Sequence, residues 1–209
     1  MRKILSLVAI AAALAACNQT SPSFVASSTV TLERVETLSP AEIRALSLEQ
    51  LEALGREADA NLKAAAVPTP ELSTQADARW PNYSYTLSVA TGITFETYLS
   101  SFYRQYDGPD WSDDGCSGPT PPVIFDDTAC RQHDYGYRNV PQYAQGRTDA
   151  VRKQVDERFL SNMYLVCDRR WTKWYQSPLK VACKADALIF YGGVRVGGSS
   201  AFYGTPQRY

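Results

Sequence analysis

The chain holds a single histidine, His133, among 209 residues. Zinc sites are usually built from several His and Cys ligands, so a zinc hydrolase is hard to assemble from this sequence. No two of the five cysteines stand at C-x₂-C spacing, which argues against a metal-thiolate centre. A basic excess is also missing. There are 21 Lys and Arg against 22 Asp and Glu, for a formal net charge of −1. Without the first three residues the count is 19 against 22, a net −3. A nucleic-acid-binding domain needs a pronounced basic surplus, and that class is excluded. The apolar run at residues 4–13 is too short to span a bilayer. The cysteine-bearing half shows neither a β-period nor βαβ alternation, so the fold class is mainly α.

What is present begins with export. Arg2 and Lys3 precede the apolar run, and Leu14-Ala15-Ala16 places small residues before Cys17. This is the layout of a secretory signal. Its end, Leu-Ala-Ala-Cys, resembles a bacterial lipobox, in which the cysteine becomes the acylated first residue. The expectation is a lipoprotein signal over 1–16 and an exported chain. Cys17 would anchor it by lipid at the cell envelope, or the chain would be secreted if not acylated. Five cysteines is an odd number for an exported protein. Assigning Cys17 to lipid leaves Cys116, Cys130, Cys167 and Cys183, an even set in an oxidising compartment. Four cysteines allow three pairings, and their positions alone do not choose among them.

Residues 17–79 read as a lipidated spacer followed by a helical extension. Ser39-Pro40-Ala41-Glu42 carries a helix-start pattern, with Ser as N-cap, Pro in the first turn and Glu three residues on. Leu46, Leu51 and Leu54 mark an apolar stripe, and Val67-Pro68-Thr69-Pro70 breaks it. This extension is expected to lie outside the second unit, residues 80–192, which is aromatic and cysteine-bearing. Helices are predicted there at 94–106, 128–139, 148–167 (capped by Thr148) and 177–191. A loop at 107–127 holds six Asp and no Lys or Arg. The remainder, 193–209, reads as a loose Gly/Ser-rich tail.

On the helix predicted at 128–139, Cys130, His133, Asp134 and Tyr137 fall at i, i+3, i+4 and i+7, which is one face. If that face is buried, each polar group on it needs a partner. The next helix has the apolar stripe Val151, Val155, Phe159, Leu160, Met163 and Val166, with Asp156 on its margin. A carboxylate there costs stability unless something pairs with it. An imidazole from an antiparallel neighbour would serve, and His133 is the sole candidate; an exposed marginal Asp is the alternative. The acidic loop, with Asp110, Asp113, Asp114, Asp126 and Asp127, offers hard oxygen ligands that suit calcium. An EF-hand frame starting at Asp110 fails, because its twelfth position is Pro121. A different calcium loop and a solvated acidic turn both remain open.

Asp114-Gly115-Cys116, the run Ala129-Cys130-Arg131-Gln132-His133-Asp134-Tyr135-Gly136-Tyr137-Arg138-Asn139, then Val155-Asp156 and Cys167 together resemble the secreted phospholipase A2 family of bacteria and fungi, the prokaryotic phospholipase A2 group. The resemblance covers roughly residues 80–192. It implies a small disulfide-stapled helical domain with two antiparallel catalytic helices and a calcium-binding loop. His133 would be the general base and Asp156 its orienting partner, with Tyr137 in support. Asp134 and Asp114 would bind Ca2+ by side chain and Gly115 by its carbonyl. The disulfides would be Cys116–Cys130 and Cys167–Cys183. The implied reaction is calcium-dependent hydrolysis of the sn-2 ester of glycerophospholipids in a membrane or micelle.

That chemistry is self-consistent, since a carboxylate-held His can take a proton from water near neutrality and a divalent cation can polarise the ester. Gly115 is small, so no side chain packs from that loop position. The extension and the tail fall outside the resemblance. Arg169-Arg170-Trp171-Thr172-Lys173-Trp174-Tyr175 interleaves cations with aromatic rings, as suits an anionic interface, although both tryptophans could instead be core. An exported lipoprotein of the same fold that binds calcium and lipid without turnover is the rival. His133, Asp134 and Asp156 together favour the enzyme, because a binder needs no base. The sequence sets no oligomeric state.

Overall fold

A computed structural model describes residues 29–66, 82–100, 108–116 and 123–209. The export signal, Cys17 and the break at 67–70 lie outside the described residues. So do parts of the helix expected at 94–106 and of the acidic loop. Among the described residues the structure is helical, with no strand. Its elements are α1 (Leu32–Val35), α2 (Pro40–Arg44), α3 (Leu48–Ala64), α4 (Tyr83–Leu87), α5 (Phe95–Leu99), α6 (Val123–Phe125), α7 (Arg131–Asn139), α8 (Asp149–Arg170), α9 (Ser177–Gly197) and α10 (Ser199–Gly204).

Local chemistry sets many of the boundaries. Ser39 and Ser47 open α2 and α3 with reciprocal capping boxes to Glu42 and Gln50, each satisfying two amide donors that the helix leaves free. Thr148 caps α8 by accepting the Val151 amide. The helix expected from 128 starts earlier, because α6 runs through a π-helical turn, Asp126–Cys130, into α7.

Helix α8 is the axis of the molecule. Its predicted stripe is buried throughout, and so are the polar Arg152, Asp156, Glu157 and Asn162. A helix enclosed on several sides needs partners for its polar groups, and it finds them. Asn61 Nδ2 donates to Glu157 Oε1 at 2.6 Å, and Asn162 Nδ2 donates to Gln132 Oε1 at 2.8 Å. On one side, Phe159, Leu160 and Met163 pack with Leu51, Leu54 and Ala58 of α3 and with Leu188 and Tyr191 of α9. On the other, Val151 and Val155 pack with Tyr135 of α7 and with Tyr85, Val89 and Tyr98.

Two expectations are corrected. The N-terminal helices are not outside the core: Leu32, Val35, Ile43, Leu51 and Leu54 are all but fully buried in it. The cause is α8, whose apolar surface extends beyond one face and has to be covered from both sides. Nor is the end of the chain from Gly192 a loose tail. Helix α9 continues to Gly197, α10 follows, and Phe202 is buried against Tyr137. Arg147 Nη1 donates to the carbonyls of Pro141 and Thr205, and the amides of Arg208 and Tyr209 donate to Gln142 O.

Helix α8 runs antiparallel to both neighbours. Cys167 is bonded to Cys183 near one end of the α8–α9 pair, and Arg152 reaches the Val194 and Arg195 carbonyls near the other. Toward α7, residue 132 meets 162 while 133 meets 156. Gly136 makes that approach possible, because a Cβ there would lie 2.6 Å from Val155 Cγ1.

Candidate active site

The face of α7 that carries His133 turns onto α8. The Nε2 atom of His133 lies 2.9 Å from Asp156 Oδ1, with the ring side chain 9% exposed and the carboxylate 0%. A carboxylate only accepts, so in the neutral imidazole Nε2 carries the proton and Nδ1 the lone pair. Phe159 stacks on the ring at 4.4 Å between centroids, and Tyr137 lies at 4.3 Å on a tilt. The imidazole is thus held by one hydrogen bond and two aromatic contacts.

Asp156 collects further donors. Tyr137 Oη donates to Oδ1 at 2.8 Å, and Arg195 Nη1 donates to Oδ2 at 3.1 Å. Arg152 lies 3.5 Å from Oδ2. Burial, reinforced by the Asp156 charge, raises the Tyr137 phenol far above its usual range, so it stays a donor. A fully buried carboxylate is tolerable only with such compensation. Arg195 extends the network: its Nη2 donates to both oxygens of Asp149 at 3.1 Å, and its Nε donates to Glu36 Oε1 at 3.0 Å.

The loop stands beside this pair. Asp134 Oδ2 accepts the backbone amides of Asp114 and Gly115 at 2.9 and 3.1 Å. Burial first, then the like charge of Asp114, pushes the Asp134 carboxyl up to about 6, against the pull of the Asp114 amide, His133 and Arg138. Gly115 has φ of 73°, a left-handed backbone that glycine adopts without cost, and this accounts for a glycine at that position. Cys116–Cys130 joins the loop to the turn preceding α7. The Asp114 carboxylate turns outward, where it accepts from Arg138 Nη2 at 2.6 Å, and Asp113 pairs with Arg131 Nε at 3.0 Å. Asp126 accepts the Cys116 amide, while Asp110 accepts that of Ser112. A cluster of Cys116, Asp126 and Cys130 has metal-like spacing, but its sulfurs are consumed in the disulfide.

Both disulfides are the pairs that the resemblance implies. The structure brings together His133, Asp156 and Tyr137, and sets Asp134 and Gly115 next to them, with the Asp114 side chain directed away. Arg195 and Arg152 are the residues the sequence reading missed. Arg152 could have been noticed as the i−4 neighbour of Asp156 on one helix. Arg195 is remote in sequence and carries no local signal.

The family described as prokaryotic phospholipase A2 matches residues 89–198, which hold every one of these residues except Glu36. The chain belongs to that family. It is accordingly an enzyme of lipid hydrolysis, a phospholipase A2. A secretory phospholipase A2 of Arthroderma benhamiae is 37% identical over 115 residues, 52% of this chain and 76% of that protein. Another, from Beauveria bassiana, is 33% identical over 114 residues, 51% of this chain and 56% of that protein. No solved structure matches the chain. In this phospholipase A2, a cavity of about 1010 Å³ opens onto His133, Asp134 and Gly115, large enough for a lipid ester beside the imidazole. Away from it, Trp171 packs against the core, whereas Trp174 and Tyr175 are 89% and 65% exposed.

Proposed function

We propose that the chain hydrolyses the sn-2 ester of glycerophospholipids in a calcium-dependent reaction. His133 Nδ1 takes a proton from the attacking water, and Asp156 holds the ring and offsets the charge of the imidazolium that forms. General-base assistance of this kind contributes about 10²–10⁴-fold. Tyr137 and Arg195 keep the Asp156 carboxylate fixed through that charge change. Phe159 and the walls of the cavity keep bulk water from the ester.

The loop residues fit a hard cation by the chemistry of their donors. Asp134, Asp114 and the Gly115 carbonyl supply oxygen only, and the half-buried Asp134 carboxylate is a group that positive charge would stabilise. Asp114 would exchange Arg138 for the ion. When bound, calcium supplies Lewis-acid polarisation of the ester carbonyl and charge for the phosphate.

The observation that carries this reading is the only histidine of the chain set 2.9 Å from a fully buried carboxylate at the wall of a lipid-sized cavity. The secretory names of the relatives and the residues before Cys17 support export, with Cys17 as the acylated residue. Trp174 and Tyr175 support contact with the lipid interface. The test uses the purified full chain, phosphatidylcholine with two different acyl chains, and calcium or a chelator. Release of the sn-2 acid alone, lost with chelator and lost in His133→Ala, is the expected outcome. Release of the sn-1 acid, or full activity in His133→Ala, would refute the assignment.

A further inference from the structure

The cavity at His133 reaches well beyond the residues assigned to chemistry. From His133 and Phe159 it extends along α9, past Ile189, Phe190 and Gly193, to Val35, Leu38 and Ile43 of the N-terminal segment. Helices α1 and α2 lie outside residues 89–198, the part matched by the family. One wall of the cavity therefore comes from outside the part that the family matches. The segment packs on α9, where a Cβ on Gly192 would lie 3.5 Å from Val35 O. Its polar groups sit at the edge or are already paired: Arg44 and Asp186 form an ion pair at 3.3 Å, and Glu36 is engaged by Arg195. What remains between them is an apolar trough leading away from the reacting centre.

Glycine in a helix interior lowers stability relative to alanine, yet the last two turns of α9 contain Gly192, Gly193 and Gly197. Gly193 and Gly197 border the cavity, and a Cβ on either would meet nothing within 4 Å. Their lack of side chains widens the trough.

We infer that α1, α2 and the glycine-bearing end of α9 seat the acyl chain of the scissile ester and set the chain length the enzyme accepts. This rests on the sn-2 hydrolysis proposed above. A hydrocarbon chain leaving the ester at His133 enters the trough directly, and each methylene buried there should raise kcat/KM by about fourfold until the trough is filled.

The experiment uses the full chain with calcium and phosphatidylcholines whose sn-2 group grows from butyryl to palmitoyl, in nonionic-detergent mixed micelles. Gly193→Leu adds a side chain at the border of the trough, where a Cβ meets nothing within 4 Å. Gly204→Leu is the control, because Gly204 is equally open but does not border the cavity. In the wild type and in Gly204→Leu, kcat/KM should climb with chain length. In Gly193→Leu, butyryl cleavage should persist while the gain for long chains disappears. A Gly193→Leu profile parallel to wild type would overturn the inference. Palmitate binding, followed by displacement of a fluorescent fatty acid, reads the same seat without turnover. Gly193-dependent binding by a wild type that releases no acid would leave the seat standing and defeat the hydrolysis reading. Palmitate binding equal in wild type and Gly193→Leu would count against the seat whatever the turnover.

Discussion

Replacing Arg195 by Met keeps the methylene packing and deletes the guanidinium. Its side chain is 5% exposed and touches three carboxylates, Asp156, Asp149 and Glu36, at 3.0–3.1 Å. Removing one partner of a buried ion pair typically costs about 3–5 kcal/mol, because the other charge is stranded. The stranding is partial at this site. Asp156 retains His133, Tyr137 and Arg152, while Asp149 and Glu36 have 63% and 30% of their side chains open to water. The expected loss is therefore about 2–3 kcal/mol, a fall in Tm of roughly 4–12 °C for a chain of this size. Thermal melts of the full chain with calcium measure it. The second readout is kinetic: kcat should fall, by up to about a hundredfold if the imidazole shifts by an ångström, with KM little changed. Arg195→Lys should recover part of both losses. Glu36→Gln, which breaks only the exposed arm, should cost less than about 1 kcal/mol. A Tm for Arg195→Met within about 1 °C of wild type, with kcat intact, would refute the claim that this arginine holds the Asp156 carboxylate.

Two other outcomes follow from the geometry. The Asp134 carboxyl is raised from 3.8 to about 6, so in calcium-free buffer its contribution to stability is complete below about pH 4 and is lost as pH rises through about 6. After allowing for water at the cavity mouth, this amounts to about 1–2 kcal/mol. Calcium selects the ionised carboxylate and should reverse the trend, and Asp134→Asn should flatten it; melts across this pH range with and without calcium decide the matter. Gly136→Ala places a methyl 2.6 Å from Val155 Cγ1 and should cost about 1–3 kcal/mol through overpacking. Adding Val155→Ala should return much of the loss, and a double-mutant cycle that finds the two changes additive would argue against the contact.

How far the sequence reached is visible at individual residues. The face of Cys130, His133, Asp134 and Tyr137 was legible because helical spacing alone places them together. So were the starts of α2 and α8, since a cap joins residues three apart. The pairing of His133 with Asp156 could be anticipated because a buried carboxylate needs a donor and the chain has one imidazole. The disulfide pairs came from the resemblance rather than from spacing. By contrast, the glycines after residue 191 suggested a loose tail, because local propensity penalises them and says nothing of a neighbouring surface.

Length, charge, the scarcity of histidine and the helical periodicities determined by themselves the mainly α class and the residues able to carry chemistry. Tertiary structure alone decided that Arg195, 39 positions beyond Asp156, closes on that carboxylate, and that Val35 and Ile43 wall the cavity. It also decided that the Asp114 side chain turns to Arg138. Helix and turn patterns are set by residues a few positions apart, whereas these contacts depend on how whole helices cross once α8 is enclosed.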